Sequence, residues 1–405
     1  MPFISRVLFA AGLCLTFAAA AAHAQSSGGA PVTAEIIAHL YKPVSEQPTE
    51  QHLNQLQLPN GFMIEKFTTG LGEVRMLAVA QNGTVYVTRP SPGDVVMLRD
   101  TNGDGMANEK KTVVKKPQVH GIAIHDDKMY LATIHAIYVA DMRKDGTLGK
   151  LQTLVDDLPN GGQHANRTLG FGPDGMLYVS VGSLCDTCSE TDPKNATILQ
   201  VDPNSGQETI FASGLRNTLG FAWHPKTKEM WGMDHGIDFL GDNKPGEELN
   251  HLVKGAMYGW PYAYGNRQPN TEIKASSGES IAKMVKQSKP AALLYTAHAA
   301  PMQMAFYTGS QFPAAYRDDA FVAMHGSWNR RPPSGYEIVR IKFNDAGQPQ
   351  AFAPFVTGFL TRQKGGTYAE FGRPTGLAIA KDGSLLVGDD THGVIYRISY
   401  QGNSQ

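Results

Sequence analysis

The chain has 405 residues, 43 of them glycine and 24 proline, and a formal net charge of −1. That charge balance gives no electrostatic footprint for nucleic acid or an anionic membrane surface. With 41% hydrophobic residues there is ample material for a core, and the glycine and proline content favours a turn-rich, all-β fold over a helical one.

Residues 1–24 have the build of a secretory signal: Arg6 supplies the charge, Val7 to Ala22 the apolar stretch, and Ala22-His23-Ala24 a small-x-small cleavage site. The expected location is periplasmic or secreted. Cleavage leaves 35 basic and 37 acidic residues. No later run reaches about 18 apolar residues, so no membrane span is expected in the mature chain. Cys14 leaves with the signal. Cys185 and Cys188 remain and are expected to form a loop clip, since a zinc site would need two further ligands at recognisable spacing. Residues 25–57 read as a polar linker or loosely packed arm, 58–400 as the main domain and 401–405 as a tail.

From Leu58 the pattern becomes β. Gly61–Gly70 alternates as a single strand. A unit of strand, tight turn and strand then recurs six times, from Val74, Val119, Gly161, Arg216, Met302 and Arg373, and in most copies a further strand follows. The apolar runs have period two, which excludes a helical solenoid. A four-strand unit repeated at roughly 40 to 85 residues is the signature of a β-propeller blade. The expected fold is a six-bladed β-propeller, with the lone strand at Gly61–Gly70 joining the last blade and closing the ring.

The first strand of each blade lines the channel, so equivalent positions form a ring at its mouth. Before these strands lie Arg75, His120, His164, Arg216 with Asn217, and Arg373; after the second strands lie Arg89, His135, Ser183, Asp234 with His235, His325 and Asp390. Such a mouth suits an anionic ligand. The Asp234-His235-Gly236 corner with Glu247 and Glu248 offers oxygens of the kind calcium takes. Asp100-Thr101-Asn102-Gly103-Asp104-Gly105 matches the start of a calcium loop but lacks the acid that closes an EF-hand, and a plain hairpin turn explains it as well.

Three segments together resemble the soluble quinoprotein sugar dehydrogenases, the glucose/sorbosone dehydrogenase group that uses pyrroloquinoline quinone (PQQ). They are His164 to Tyr178, Arg216-Asn217-Thr218-Leu219-Gly220-Phe221-Ala222, and Glu248-Leu249-Asn250 with Tyr258-Gly259-Trp260-Pro261. The resemblance runs from about Leu58 to Ser399 and implies a six-bladed propeller. It implies that His164 is the general base, that Arg216 polarises the reactive quinone oxygen, and that Asn217 contacts the cofactor. It further implies that Arg373 pairs with the cofactor's carboxylates and that the Gly236 and Ile237 carbonyls hold a catalytic calcium. Glu248 and Tyr258 resemble a structural calcium site.

The chain departs from the glucose-oxidising pattern at three places. Ser183 stands where those members have an aspartate, Ile237 where they have a proline, and the loop His325-Gly326-Ser327-Trp328-Asn329-Arg330-Arg331 where a lysine is expected. Arg330 is the expected substitute. These departures point toward the L-sorbosone dehydrogenase-like branch. The expected activity is oxidation of a sugar, sugar aldehyde or polyol, with electrons passing to an external quinone or cytochrome. The alternatives are a carbohydrate-binding propeller without turnover and a calcium-dependent lactonase.

Overall fold

The computed structural model describes residues 36–273 and 280–402. The signal segment with Cys14, residues 25–35 of the linker and the last three residues of the tail lie outside the described residues. The described residues from Ile37 onward belong to one compact unit. Among the described residues no helix is long and apolar enough to cross a membrane.

The chain is built from antiparallel sheets taken in sequence order. The first holds Leu77–Val79, Val85–Arg89, Asp94–Arg99 and Glu109–Lys115. The second holds Gly121–His125, Lys128–Ala132, Ile137–Asp141 and Gln152–Val155. The third runs Leu169–Phe171, Leu177–Val181, Thr197–Val201 and Glu208–Ser213, with Ala256–Met257 added in parallel. The fourth runs Thr218–Trp223, Met230–Asp234, Glu247–Leu252 and Leu293–Tyr295. The fifth holds Pro301–Phe306, Ala320–Met324, Glu337–Phe343 and Pro349–Val356. In the sixth, Pro374–Ile379, Leu385–Asp389 and Val394–Tyr400 are joined by Phe62–Thr68, which pairs antiparallel with the last of them.

The leading strands of successive sheets touch in cyclic order, the sixth returning to the first; the third sheet reaches the fourth through its second strand. Each pair of neighbouring sheets encloses its own apolar cluster. Met76, Tyr86 and Met97 meet Ile122, Met129 and Leu131 between the first and second sheets. Phe67, Leu386 and Ile395 meet Leu77, Val85 and Leu98 between the sixth and the first. Strand alternation feeds both sides: in Lys128–Ala132, Met129 and Leu131 face the first sheet while Tyr130 and Ala132 face the third. Both faces of an inner strand are therefore buried, which is why these strands read as near-continuous apolar runs. Each fully buried Leu, Val or Met contributes about 1.5–3 kcal/mol.

The leading strands approach so closely that a side chain is excluded at equivalent places. A Cβ on Gly121 would lie 2.7 Å from Arg167 O, on Gly220 2.1 Å from Met302 O, and on Gly376 2.5 Å from Arg75 O. Glycine here is a packing requirement rather than a turn.

The segment expected as a loose linker is docked from Ile37 onward, where Ile37 O accepts from Asp242 N and His39 pairs with the Asp242 carboxylate. Tyr41 bridges to Asn329, and Val44–Ser45 pairs in parallel with Tyr368–Glu370. Thr49 caps the short helix Glu50–Gln55, and Leu53 and Leu56 are buried against the fifth and sixth sheets. The polar composition hid two apolar anchors and a cap. The Asp100–Gly105 segment joins two strands of the first sheet, and both Asp100 carboxylate oxygens accept backbone amides of its own loop, from Gly103 and Gly105. That is the behaviour of a turn residue.

Candidate functional site

The loops preceding the leading strands gather the polar residues marked in the sequence. His164 is buried ahead of Leu169–Phe171. Its Nδ1 lies 2.8 Å from Ser183 Oγ and 3.0 Å from Ser183 O. Gly182 permits this approach, since a Cβ there would sit 2.5 Å from His164 Cβ. Arg167, wholly buried, fixes the loop by donating to the carbonyls of His164 (3.0 Å), Pro159 (2.8 Å) and Ile134 (3.2 Å). Burial, then the charge of Arg216, pushes the His164 pKa down to about 3, so its imidazole is neutral around pH 7.

Arg216 and Asn217 open the fourth sheet. Asp234 clamps their backbone, accepting from Arg216 N (2.9 Å), Asn217 N (2.8 Å) and Thr218 Oγ1 (2.7 Å). The Arg216 guanidinium is buried and paired twice, with Asp186 Oδ1 at 2.7 Å and Asp238 Oδ2 at 2.9 Å. Asn217 Nδ2 donates weakly to His235 Nδ1 (3.4 Å), which leaves His235 Nε2–H to donate to Pro301 O at 2.5 Å.

Across the mouth, Asp390 pairs with Arg75 (2.6 Å) and with His325 Nε2 (3.0 Å). Arg373 donates to His325 O (3.3 Å) and Gly326 O (2.9 Å) and has no carboxylate partner among the described residues. His120 donates from Nδ1 to Arg167 O at 2.8 Å; its Nε2 and the Nε of Arg75 are buried without a partner. His235 feels the charges of both Arg216 and Arg75, so the two halves form one electrostatic cluster. The arginines and histidines marked in the sequence are present, but Arg75 and Arg216 arrive with carboxylates, which tempers the expected excess of positive charge.

Arg216, Asp234, His235, Gly236, Ile237, Glu248 and Tyr258, all marked in the sequence, line one small cavity with Trp260. Glu247, beside it, holds the corner by accepting from Gly236 N (2.8 Å) and Ala300 N (2.9 Å). Burial raises the pKa of Asp234 to about 6, of Glu247 to about 7 and of Glu248 to about 8, the last helped by the charge of Asp234. Among the described residues none of the three has a Lys or Arg ion pair, and no three His, Cys, Asp or Glu side chains converge as a metal-binding group. The Tyr258 hydroxyl is engaged with Val253 N and His251 O. Arg330 stands apart, bound to Asp242 O (2.8 Å) and Asn243 Oδ1 (3.0 Å). Sequence reasoning missed Asp186 and Asp238; the signal available was an aspartate enclosed between two cysteines.

A family model described as TrAA12-like matches residues 56–401. The chain belongs to the TrAA12-like family. The resemblance to quinoprotein sugar dehydrogenases is thus borne out at family level. This TrAA12-like chain is 30% identical over 369 residues to an uncharacterized protein of Borreliella burgdorferi, covering 87% of this chain and 93% of that one. It is 24% identical over 410 residues to the pyrroloquinoline quinone-dependent pyranose dehydrogenase of Coprinopsis cinerea, covering 85% of this chain and 54% of the relative, so it spans about half that protein's length. Its fold is similar to the holo pyranose dehydrogenase PQQ domain from Coprinopsis cinerea, with a TM-score of 0.73, 22% identity, and 89% and 100% of the two chains covered. It is also similar to the calcium structure of a Trichoderma reesei family AA12 enzyme, with a TM-score of 0.72, 22% identity, and 86% and 97% covered.

One acid effect follows from the TrAA12-like rim itself. Burial, then Arg75, pushes the His120 pKa down to about 3. Between that value and 6.5 the unfolded chain binds a proton that the folded chain refuses, so stability rises with pH in this window and is lost on acidification. Comparing unfolding of the native protein with His120→Gln, the native protein should lose about 1 kcal/mol more per pH unit as pH falls from 6 to 4. Equal slopes would remove His120 as the source.

Proposed function

We propose that this protein is an exported quinoprotein dehydrogenase that oxidises a sugar, sugar aldehyde or polyol. In this reading residues 58–400 are a six-bladed β-propeller closed by the strand Phe62–Thr68. The observation that carries it is a neutral, buried imidazole at His164, held through Nδ1, beside the buried cation Arg216.

The residues present fit the cofactor. An anionic quinone would meet Arg373, Arg75 Nε and His120 Nε2; among the described residues the first lacks a carboxylate partner and the other two are buried without a hydrogen-bond partner. A cation fits the cavity beside Arg216, which is lined by the buried carboxylates Asp234 and Glu248, neither of them in a Lys or Arg ion pair among the described residues. The carbonyls of Gly236 and Ile237 would hold calcium there, with Glu248 and Tyr258 as a structural site. When bound, pyrroloquinoline quinone supplies the hydride acceptor and calcium the Lewis acid. His164 takes the substrate hydroxyl proton at Nε2. Arg216 and Asn217 would contact the cofactor and Arg373 would pair with its carboxylates. Arg330, turned toward Asn243, reaches the site only if its side chain swings away from that loop.

Ser183 in place of a carboxylate supports a sorbosone-type rather than glucose-type substrate. The external acceptor is a quinone or cytochrome. Protein reconstituted with the quinone and calcium is expected to reduce a dye on addition of sugars, sugar aldehydes or polyols. Folded protein that binds no quinone would sink this reading. Binding of sugar without turnover would favour the binding-module alternative, and hydrolysis of a lactone without quinone the lactonase.

A further inference from the structure

His164 and Arg216 come from different sheets, yet both are tied to one four-residue loop. Cys185 and Cys188 are joined by a disulfide, closing Asp186 and Thr187 between them. Ser183 Oγ is 2.7 Å from Cys185 O and 2.8 Å from His164 Nδ1. A carbonyl oxygen only accepts, so the single hydroxyl hydrogen of Ser183 goes to Cys185 O. The hydroxyl then has only lone pairs to offer, and His164 Nδ1 must carry a hydrogen to meet them. Ser183 O, 3.0 Å from the same nitrogen, makes the same demand. Nε2 is thereby left with its lone pair, the form a base requires.

On the other side of the loop, Asp186 Oδ1 accepts from Arg216 Nη2 (2.7 Å) and from Asp238 N (2.7 Å). The Asp186 carbonyl accepts from Arg216 Nε (3.2 Å) and Trp260 Nε1 (3.0 Å). Thr187 Oγ1 accepts from Asn270 Nδ2 at 3.0 Å. Next to the loop, a Cβ on Gly162 would lie 2.3 Å from Leu184 O, so the His164 loop and the disulfide loop fit against each other only with glycine there. Residues 185–188 have no regular secondary structure, so without the cross-link their backbone would sample many conformations, and the two acceptors would not be held in place.

We propose that the Cys185–Cys188 loop sets the tautomer of His164 and the seat of Arg216, with Ser183 and Asp186 as positioning residues. The proposal rests on the reading of His164 as the base. Its first test needs no quinone. In cofactor-free protein labelled with 15N-histidine, the His164 signals, identified by their loss in His164→Gln, should be those of the Nδ1–H tautomer alone. In the Cys185→Ser/Cys188→Ser double variant both tautomers should appear. After reconstitution that variant should lose about 10²-fold in kcat, the size expected when a reacting group is misplaced, with KM little changed. Ser183→Ala, which leaves the disulfide in place and keeps only the longer acceptor, the carbonyl of residue 183, should let a minority Nε2–H tautomer appear, and it is the test should the double variant not fold. Asp186→Ala should lower kcat while leaving the His164 tautomer intact, separating the two arms of the loop. An Nε2–H tautomer in the native protein would overturn the proposal, as would a double variant with unchanged tautomer and kcat. If the quinone never binds, the base reading falls while the tautomer result still decides what the loop does.

Discussion

His164→Ala is expected to lower turnover about 10²–10⁴-fold, the range that a positioned general base contributes, while the quinone stays bound. The imidazole is presented to the rim with Nδ1 engaged by Ser183 and is kept neutral by burial and by Arg216. None of the groups proposed to hold the cofactor donates to or accepts from the His164 side chain, so removing the ring should spare cofactor affinity. Gly182 sits against His164 Cβ, which an alanine retains, so the local packing that positions the loop is preserved. The measurement is quinone titration alongside dye-linked turnover. Normal turnover with bound quinone would exclude the base assignment, and loss of quinone binding would place His164 in the cofactor site.

Gly220→Ala should be strongly destabilising for the addition of a single methyl group. Its Cβ would lie 2.1 Å from Met302 O and 3.1 Å from Met304 N, and both are backbone atoms of the neighbouring sheet. Neither can rotate away, so the leading strands of the fourth and fifth sheets must part. Overpacking of this kind typically costs about 1–3 kcal/mol, which lowers Tm by several degrees in a protein of this size. Gly149→Ala is the control: its nearest neighbour would be Asp141 O at 3.4 Å, an ordinary contact, and the change should stay within about 0.5 kcal/mol. Equal melting of Gly220→Ala and the native protein would mean that the two sheets are less closely apposed than described.

Much of this architecture was legible because burial on both faces leaves a plain trace. Runs such as Asp94–Arg99 and Leu385–Asp389 are apolar almost throughout, and turns of Gly, Asn and Asp separate them. His164, Arg216, Asn217 and Arg373 could be marked because they recur at one register of a repeat. What escaped was every relation between loops distant in sequence. Arg216 meets Asp186 thirty residues upstream and Asp238 on a different loop, and no periodicity links them. Arg330 was expected to stand in for a lysine of the resembled family, whereas its guanidinium is drawn to Asp242 and Asn243. The arm before Leu58 looked unanchored because its two buried leucines are too few to make a periodic signal.

The sixth sheet draws Phe62–Thr68 from early in the chain and Val394–Tyr400 from late in it. Phe62–Thr68 has no strand partner until Val394–Tyr400 has been made, so completion of this sheet waits for residues 394–400. A chain threaded through a membrane from its N-terminus could not lock before it had almost completely crossed. Loss of residues from 394 onward would strip partners from the cluster between the fifth and sixth sheets and from that between the sixth and first. Late truncation should therefore destabilise residues far from the cut, because Phe62–Thr68 and Val394–Tyr400 are paired across more than 300 residues of sequence.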